Sequence, residues 1–457
     1  MKNLLFSILF FGSGIGYAQD TLSVLTQKDF LQHVKENHPI ALVASNNIEL
    51  AEQTIRMAKG AFDPVLFGGI DQKYYEGKTY YSTISSGVKI PTRIGVDLKL
   101  AGDFNKGDYL NPENRIPAGG LTYAGFEVPI GRGLFTDERR TQLKRARVTF
   151  SQSQVEKTLA LNALLYEAGQ VFIYWQEQES QLILAIEGAN LSEIRLQQMR
   201  VNFQLGERAA VDTIEASAQY FNRILDVEQR KLNAKNAKLS VENYLWEKGM
   251  LPLTLEESIS PEKLEIEAPI SLLNNTENQH PMLTWYDLKL KDLVIERKLK
   301  IEMLKPQLTV NYNLLQPAEN LVSTQLSFSN YKWGATLYMP ILLRKERSAV
   351  QISNFKIENT QLEIQQKQRD LRTKQIQNRN EWTTHVSQAQ RSLTVADNYK
   401  QLSAAERSLF DLGESSLFLI NAREMSYLSA QSKYLEYAAK TKKSALTERF
   451  ALGILAE

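Results

Sequence analysis

The chain contains no cysteine among its 457 residues and only four histidines, His33, His38, His280 and His385. That excludes disulfides, thiol nucleophiles and thiolate metal sites, and no His cluster has the spacing of a zinc centre. Net charge is +2, with charged residues at 23%, so there is no basic field of the kind nucleic acid requires. Beyond the N-terminus no run of 18 or more consecutive apolar residues occurs, so no transmembrane helix is expected. A chain of this kind can enter a membrane only as a closed β-barrel. No Ser-His-Asp constellation, phosphate-cradling Gly loop or paired-acid site stands out. Gly131-Arg-Gly133 reads as a strand-to-helix junction. The chain is therefore not expected to be an enzyme, and nothing in it requires a cofactor or a metal.

Proline is also absent from two long stretches, Ile130–Leu251 and Ile341–Glu457. Each folds over the same short sequence, Arg200-Val-Asn-Phe-Gln-Leu-Gly-Glu207 and Arg407-Ser-Leu-Phe-Asp-Leu-Gly-Glu414, at an offset of 207 residues. Gly supplies the left-handed turn that ends a helix, so each block reads as a helix, a reversal and a second helix. Upstream, His38-Pro39 is answered by His280-Pro281 and Pro64 by Pro306, both 242 residues on, whereas Pro129 is answered by Pro340 at 211. The first copy thus carries 31 additional residues between its last two markers. A repeat of this length points to a pseudo-symmetric duplication and not to a solenoid.

The N-terminus reads as a secretory signal, its apolar run being short for a membrane anchor that stays. Lys2 precedes an apolar run from Leu4 to Phe11, followed by Gly16-Tyr17-Ala18, and cleavage is expected after Ala18. The expected organisation is a signal peptide over 1–18, a first repeat over 19–249, an inter-repeat equatorial linker over 250–280 and a second repeat over 281–457. Within the first repeat lie short helices over 27–60, a strand region over 64–129 and a helical hairpin over 136–249. Within the second lie a helix over 281–304, strands over 306–340 and a hairpin over 344–453.

The first long helix is expected to begin with a Thr136 cap and to run to about Gln204, or ~100 Å at 1.5 Å per residue. Its partner spans about 209–248; the second copy repeats this as 344–411 and 415–451. Along the first, Val148, Val155, Leu159, Val171 and Phe172 form an apolar stripe among many glutamines, including Gln142, Gln152, Gln154 and Gln170. Narrow apolar seams with wide uncharged polar faces suit a wall wetted on both sides, although an ordinary coiled coil has the same pattern. Trp175 and Trp382, again 207 apart, read as seam fillers, and His38 and His280 as caps ahead of Pro at a helix start.

Between the proline markers helical periodicity gives way to alternation, as in Ile94-Gly-Val-Asp-Leu-Lys-Leu100, Leu308–Tyr312 and Trp333–Tyr338. The windows 64–129 and 306–340 hold 9 of the 19 tyrosines in 101 residues. Aromatic-rich alternation fits outer-membrane strands; a β-sandwich split in two between long helices is a poor alternative. Two crossings per window make four strands per chain and twelve in three chains. Lys89-Ile-Pro-Thr-Arg93 leaves room for a further hairpin in the first window. Fewer than eight strands cannot close alone.

The paired His-Pro, Pro and Pro markers, Phe126-Glu-Val-Pro-Ile-Gly-Arg132 with Leu337-Tyr-Met-Pro-Ile-Leu-Leu343, and the two Leu-Gly-Glu turns together resemble the TolC-like outer-membrane efflux channel family. The resemblance covers nearly all of the chain after residue 18. It implies a mainly α fold with a smaller β part, in which duplicated long helical hairpins form a periplasmic α-barrel and three protomers share a short transmembrane β-barrel. It implies a homotrimer in outer-membrane lipid, reaching into the periplasm, that docks a periplasmic adaptor (membrane fusion) protein and an inner-membrane pump. The implied role is the passive exit duct of tripartite efflux or type I secretion. Carried over, Leu205, Gly206, Glu207, Leu412, Gly413 and Glu414 are the adaptor-contact candidates at the periplasmic tip, and Glu207, Asp411 and Glu414 are candidate entrance acids. The chain lacks the lipidation cysteine of one branch of the family, and the aspartate ring of some members has no clear match. A periplasmic adaptor or structural coiled-coil protein is the competing reading. An adaptor, however, normally carries one hairpin, and here two hairpins flank two strand windows.

Overall fold

The computed structural model describes residues 24–269, 280–320 and 328–456. The expected signal peptide and part of the expected linker lie outside the described residues. In chain order the elements are β1 (Val24–Leu25), α1 (Gln27–Asn37), α2 (Pro39–Gly60), β2 (Val65–Tyr75), β3 (Lys78–Pro91), β4 (Asp97–Lys106) and β5 (Leu121–Gly131). Then follow α3 (Glu138–Gln204), α4 (Ala210–Glu242), β6 (Trp246–Glu247), β7 (Leu251–Pro252) and β8 (Ser260–Pro261). The remainder comprises α5 (Pro281–Glu302), β9 (Gln307–Pro317), β10 (Tyr331–Tyr338), α6 (Arg344–Asp411) and α7 (Leu417–Leu452). The described residues divide into two compact units: 24–39 with 165–269 and 380–447, and 40–164 with 280–379 and 448–456.

Three local expectations are corrected. The cap of α3 is Asp137 and not Thr136, because Asp137 Oδ1 accepts the Arg140 backbone N–H at 2.8 Å. The partner helix α4 stops at Glu242, short of 248. There the chain turns into a β6–β7 hairpin through Lys248 and Gly249, both with positive φ, and Leu253 N–H donates back to Leu245 O at 2.9 Å. The strand expected from Ile94 starts at Asp97.

The largest correction concerns strand number. The first window folds as four strands, and all six long strands form one sheet ordered β10-β9-β5-β4-β3-β2. The reversal lies just beyond Lys89–Pro91. Thr92 N–H donates to Val96 O at 3.2 Å, Gly95 takes φ +91, and Asp97 pairs back to Pro91. The two windows join where β5 pairs antiparallel with β9 along eleven residues, from Leu121 opposite Pro317 to Gly131 opposite Gln307.

In the first unit, the core lies in seams between helices. Trp175 and Phe172 are buried, with rings edge-on at 5.7 Å, and Phe172 stacks on Phe30 at 5.2 Å. Trp382 packs with Val386, Ala445 and Ile266 and donates its indole N–H to Glu267 O at 2.9 Å. Both tryptophans fill seams. His38 ends α1 and stacks on Tyr244 at 5.8 Å. In the second unit His280 caps α5, its Nδ1 accepting the Met282 N–H at 3.0 Å. There α5 is tied to α3 by Arg145 on Asp292 at 2.8 Å and to α6 by Lys289 on Glu363 at 2.8 Å.

Candidate functional site

Two regions carry functional geometry: the sheet of the second unit and the helix turns of the first. Paired residues in an antiparallel sheet project to the same side, and successive residues alternate. One row therefore runs across all six strands as Leu66, Val88, Leu100, Ala124, Leu314 and Tyr331. The neighbouring row on that face is Ile90, Leu98, Phe126, Tyr312 and Trp333. Phe126, Tyr312 and Tyr331 stack in succession at 5.8 and 5.7 Å. From Leu66 to Gln72, Ser82 to Ile90, Leu98 to Phe104, Thr122 to Ile130, Leu308 to Gln316 and Tyr331 to Leu337, this face carries no charged residue. Yet it is exposed: Leu66 is 79% accessible, Ile70 75%, Leu337 69% and Trp333 63%. Apolar surface of this extent marks a contact with lipid or protein. The nine residues from Leu308 to Gln316 span about 30 Å of strand, or about 23 Å of depth at ~40° tilt, the height of an outer-membrane apolar band.

The opposite face is polar, and its charges are largely compensated. Lys89 lies 3.1 Å from Asp97 and 3.5 Å from Glu127, and Asp97 also accepts from Arg139 at 3.0 Å. Lys99 sits over the rings of Phe67 and Tyr123 at 4.9 and 5.3 Å. Among the described residues, the edge strands β2 and β10 each have one unpaired side.

In the first unit the two Leu-Gly-Glu turns have the same construction. Glu207 N–H donates to Asn202 O at 2.9 Å and Gly206 N–H to Phe203 O at 3.0 Å. Likewise, Glu414 N–H donates to Leu409 O at 2.9 Å and Gly413 N–H to Phe410 O at 3.0 Å. These are Schellman closures, which need a left-handed residue, and Gly206 and Gly413 take φ +75 and +78. Leu205 and Leu412 are 67% and 74% exposed, and Glu207, Asp411 and Glu414 are exposed as well. The turns approach one another through Arg208, whose guanidinium lies over the Phe410 ring at 5.4 Å. Beneath them Leu196, Met199, Ala216, Phe410, Leu417 and Ile420 form a closed apolar cluster.

Behind that cluster lies a feature that the sequence reading missed. The Arg195 guanidinium grips the Glu424 carboxylate with both Nη atoms, Nη1 to Oε2 at 2.9 Å, and Nη1 also donates to Asn421 Oδ1 at 3.0 Å. Arg407 adds a donor to Glu424 at 3.2 Å, and Asn421 donates to Glu215 at 3.4 Å. The network thus stitches α3, α4, α6 and α7 together. Farther along, Tyr427 donates to Glu187 at 3.1 Å; burial and then the Glu187 carboxylate push its phenol up to about 12. A signal existed in the sequence. Arg195 lies one residue before Leu196 and four before Met199 on the buried side of α3, where a lone cation needs a partner.

Along the flanks of this unit, α4 exposes Val211, Ile214, Phe221, Leu225, Leu232 and Leu239, and α6 exposes Val395, Leu402 and Leu409. Both sets follow heptad spacing, the pattern of a coiled-coil seam. Among the described residues no group of three or more His, Asp or Glu side chains is placed to hold a metal ion, and no helix is long and apolar enough to cross a membrane.

No protein-family model matches this chain, and no curated protein matches it by sequence. Solved structures are similar to it in three dimensions. The Campylobacter jejuni CmeC outer membrane channel is 14% identical over 98% of this chain and 94% of that one, at TM-score 0.64. The Vibrio cholerae outer membrane protein VceC is 10% identical over 93% and 96%, at 0.64. The open state of the Neisseria gonorrhoeae MtrE outer membrane channel is 11% identical over 93% and 88%, at 0.68. This chain therefore has the TolC-like fold of outer-membrane channels.

Proposed function

We propose that this chain is one protomer of a homotrimeric outer-membrane exit duct that conducts solute passively out of the periplasm. The observation that carries the reading is the amphipathic six-stranded sheet, uncharged on one face, polar on the other and, among the described residues, unpaired at both edges. An uncharged exposed face of this height suits hydrocarbon, where a sheet cannot keep open edges. Six strands fall short of the eight in the smallest barrels, so further copies supply the rest. The exposed seams of α4 and α6 support the same conclusion. If α4 of one copy meets α6 of the next, both are covered, and the head-to-tail contact closes into a ring.

In this reading the duplicated repeats 19–249 and 281–457 each contribute strands to the barrel and a hairpin to the periplasmic wall, after removal of a signal peptide over 1–18. Leu205, Gly206, Glu207, Leu412, Gly413 and Glu414 form the periplasmic tip and contact an adaptor protein, which couples the duct to an inner-membrane pump in efflux or type I secretion. The pump supplies the energy. Glu207, Asp411 and Glu414 ring the entrance and favour cations. That the similar structures are channels supports the reading.

The test is to extract the protein from membranes in detergent, measure its native mass and record conductance in planar bilayers. A mass of three chains with stepwise conductance is expected; a water-soluble monomer without conductance refutes the reading. Asp411→Asn with Glu414→Gln is expected to reduce cation preference, and unchanged selectivity removes those acids from the entrance.

A further inference from the structure

We propose that the β3–β4 hairpin belongs to the membrane wall, so that three copies close a barrel of eighteen strands instead of twelve. This rests on the reading above, in which the sheet lies in the outer membrane and three copies close it. Three independent features of the sheet carry it.

The first is continuity. β3 pairs with β4 through ten successive residue pairs, and β4 with β5 through seven, so the hairpin lies in the plane of the sheet between β2 and β5. The second is chemistry. Ile84, Val88, Ile90, Leu98, Leu100 and Phe104 face the same side as Leu314 and Trp333, without a charge among them. A hairpin lying over the barrel mouth would have no reason to keep one such face. The third is parity. The 31 additional residues of the first window enter as a pair of strands. Because β2 and β10 are separated by five antiparallel pairings, they run in opposite directions. β10 of one copy can therefore pair antiparallel with β2 of the next, as closure requires; a single extra strand would have broken that match.

With strands ~4.8 Å apart and tilted ~40°, eighteen strands enclose a barrel about 36 Å across at the backbone, against about 24 Å for twelve. A barrel of this size holds water and not a packed core. The outer section then leaves an aqueous channel, as sixteen- to eighteen-stranded barrels do, and a wider one than twelve strands would enclose.

The absence of cysteine makes the test direct. Single Ile84→Cys, Leu100→Cys, Ser85→Cys and Ala101→Cys variants, with Leu314→Cys on β9 as reference, are labelled with a fluorophore and reconstituted in vesicles containing acyl-chain nitroxide lipid. Ile84→Cys and Leu100→Cys are expected to be quenched by the lipid as strongly as Leu314→Cys, and Ser85→Cys and Ala101→Cys by aqueous iodide. Quenching of Leu314→Cys without the β3 and β4 positions overturns the proposal and leaves the membrane reading standing. No lipid quenching at any position refutes the membrane reading itself. A native mass other than three chains overturns the number eighteen. Should a variant not fold, electron microscopy of the unaltered protein decides the same point: a wall about 24 Å across overturns it.

Discussion

Replacing Glu424 by alanine is expected to destabilise the hairpin ends by about 3–5 kcal/mol, because it strands a buried cation. The Arg195 and Glu424 side chains are each only 7% exposed. With the carboxylate gone, Arg195 keeps one acceptor among the groups described above, Asn421 Oδ1 at 3.0 Å, and its Nε already has no hydrogen-bond partner among the described residues. Removing both charges behaves differently. Arg195→Met with Glu424→Leu replaces the pair by apolar groups of similar volume, a change that is often neutral or stabilising. The double mutant is therefore expected to be several kcal/mol more stable than Glu424→Ala alone. Hydrogen exchange of the α7 amides near residues 420–428 reads this locally, since 1.36 kcal/mol corresponds to a tenfold change. Exchange in Glu424→Ala should accelerate by about two to four orders of magnitude. A loss below about 1 kcal/mol in Glu424→Ala, the value of a surface ion pair, would refute the buried-pair argument.

Other expectations follow from the same geometry. An added Cβ at Gly206 or Gly413 meets nothing within 4 Å, so Gly→Ala there should cost only the left-handed penalty of about 1–2 kcal/mol, with Gly→Asn milder; thermal unfolding checks this. Leu100→Lys, on the uncharged face, should lower the yield of folded barrel, by about 2–4 kcal/mol if it lies at mid-membrane, whereas Thr336→Lys on the polar face should not; gel-shift of unheated samples distinguishes them. Burial, with Lys367, lowers the His280 pKa, while its ring hydrogen bond to the Ala451 carbonyl opposes the shift. Its cap of α5 is therefore present above the ordinary histidine value and is lost as pH falls through the depressed one. His280→Asn should keep the cap and remove that part of the acid sensitivity in pH-dependent melting. Deleting residues 76–106, 31 in number, should join β2 to β5 with direction preserved and give a narrower pore in polymer-exclusion measurements.

The long helices were legible because their signals are local. Proline-free blocks and Gly206 and Gly413 at the turns set helix and reversal within a few residues, and α6 runs from Arg344 to Asp411 as the spacing predicts. The TolC-like fold was legible because those markers recur in one order. The end of α4 was less so, since Tyr244–Leu253 closes on itself through hydrogen bonds that no helix propensity reports.

By itself the sequence determined the duplicated helical hairpins, the alternating windows and the left-handed glycine turns, all of which depend on neighbours a few residues apart. Long-range packing settles that the first window makes four strands, that β5 joins β9 across nearly two hundred residues, and that Arg195 meets Glu424 and Arg407. Alternation shows which residues share a face but not which strand lies alongside. That choice is made when a sheet gathers its edges, and when a buried charge must find its partner on another helix.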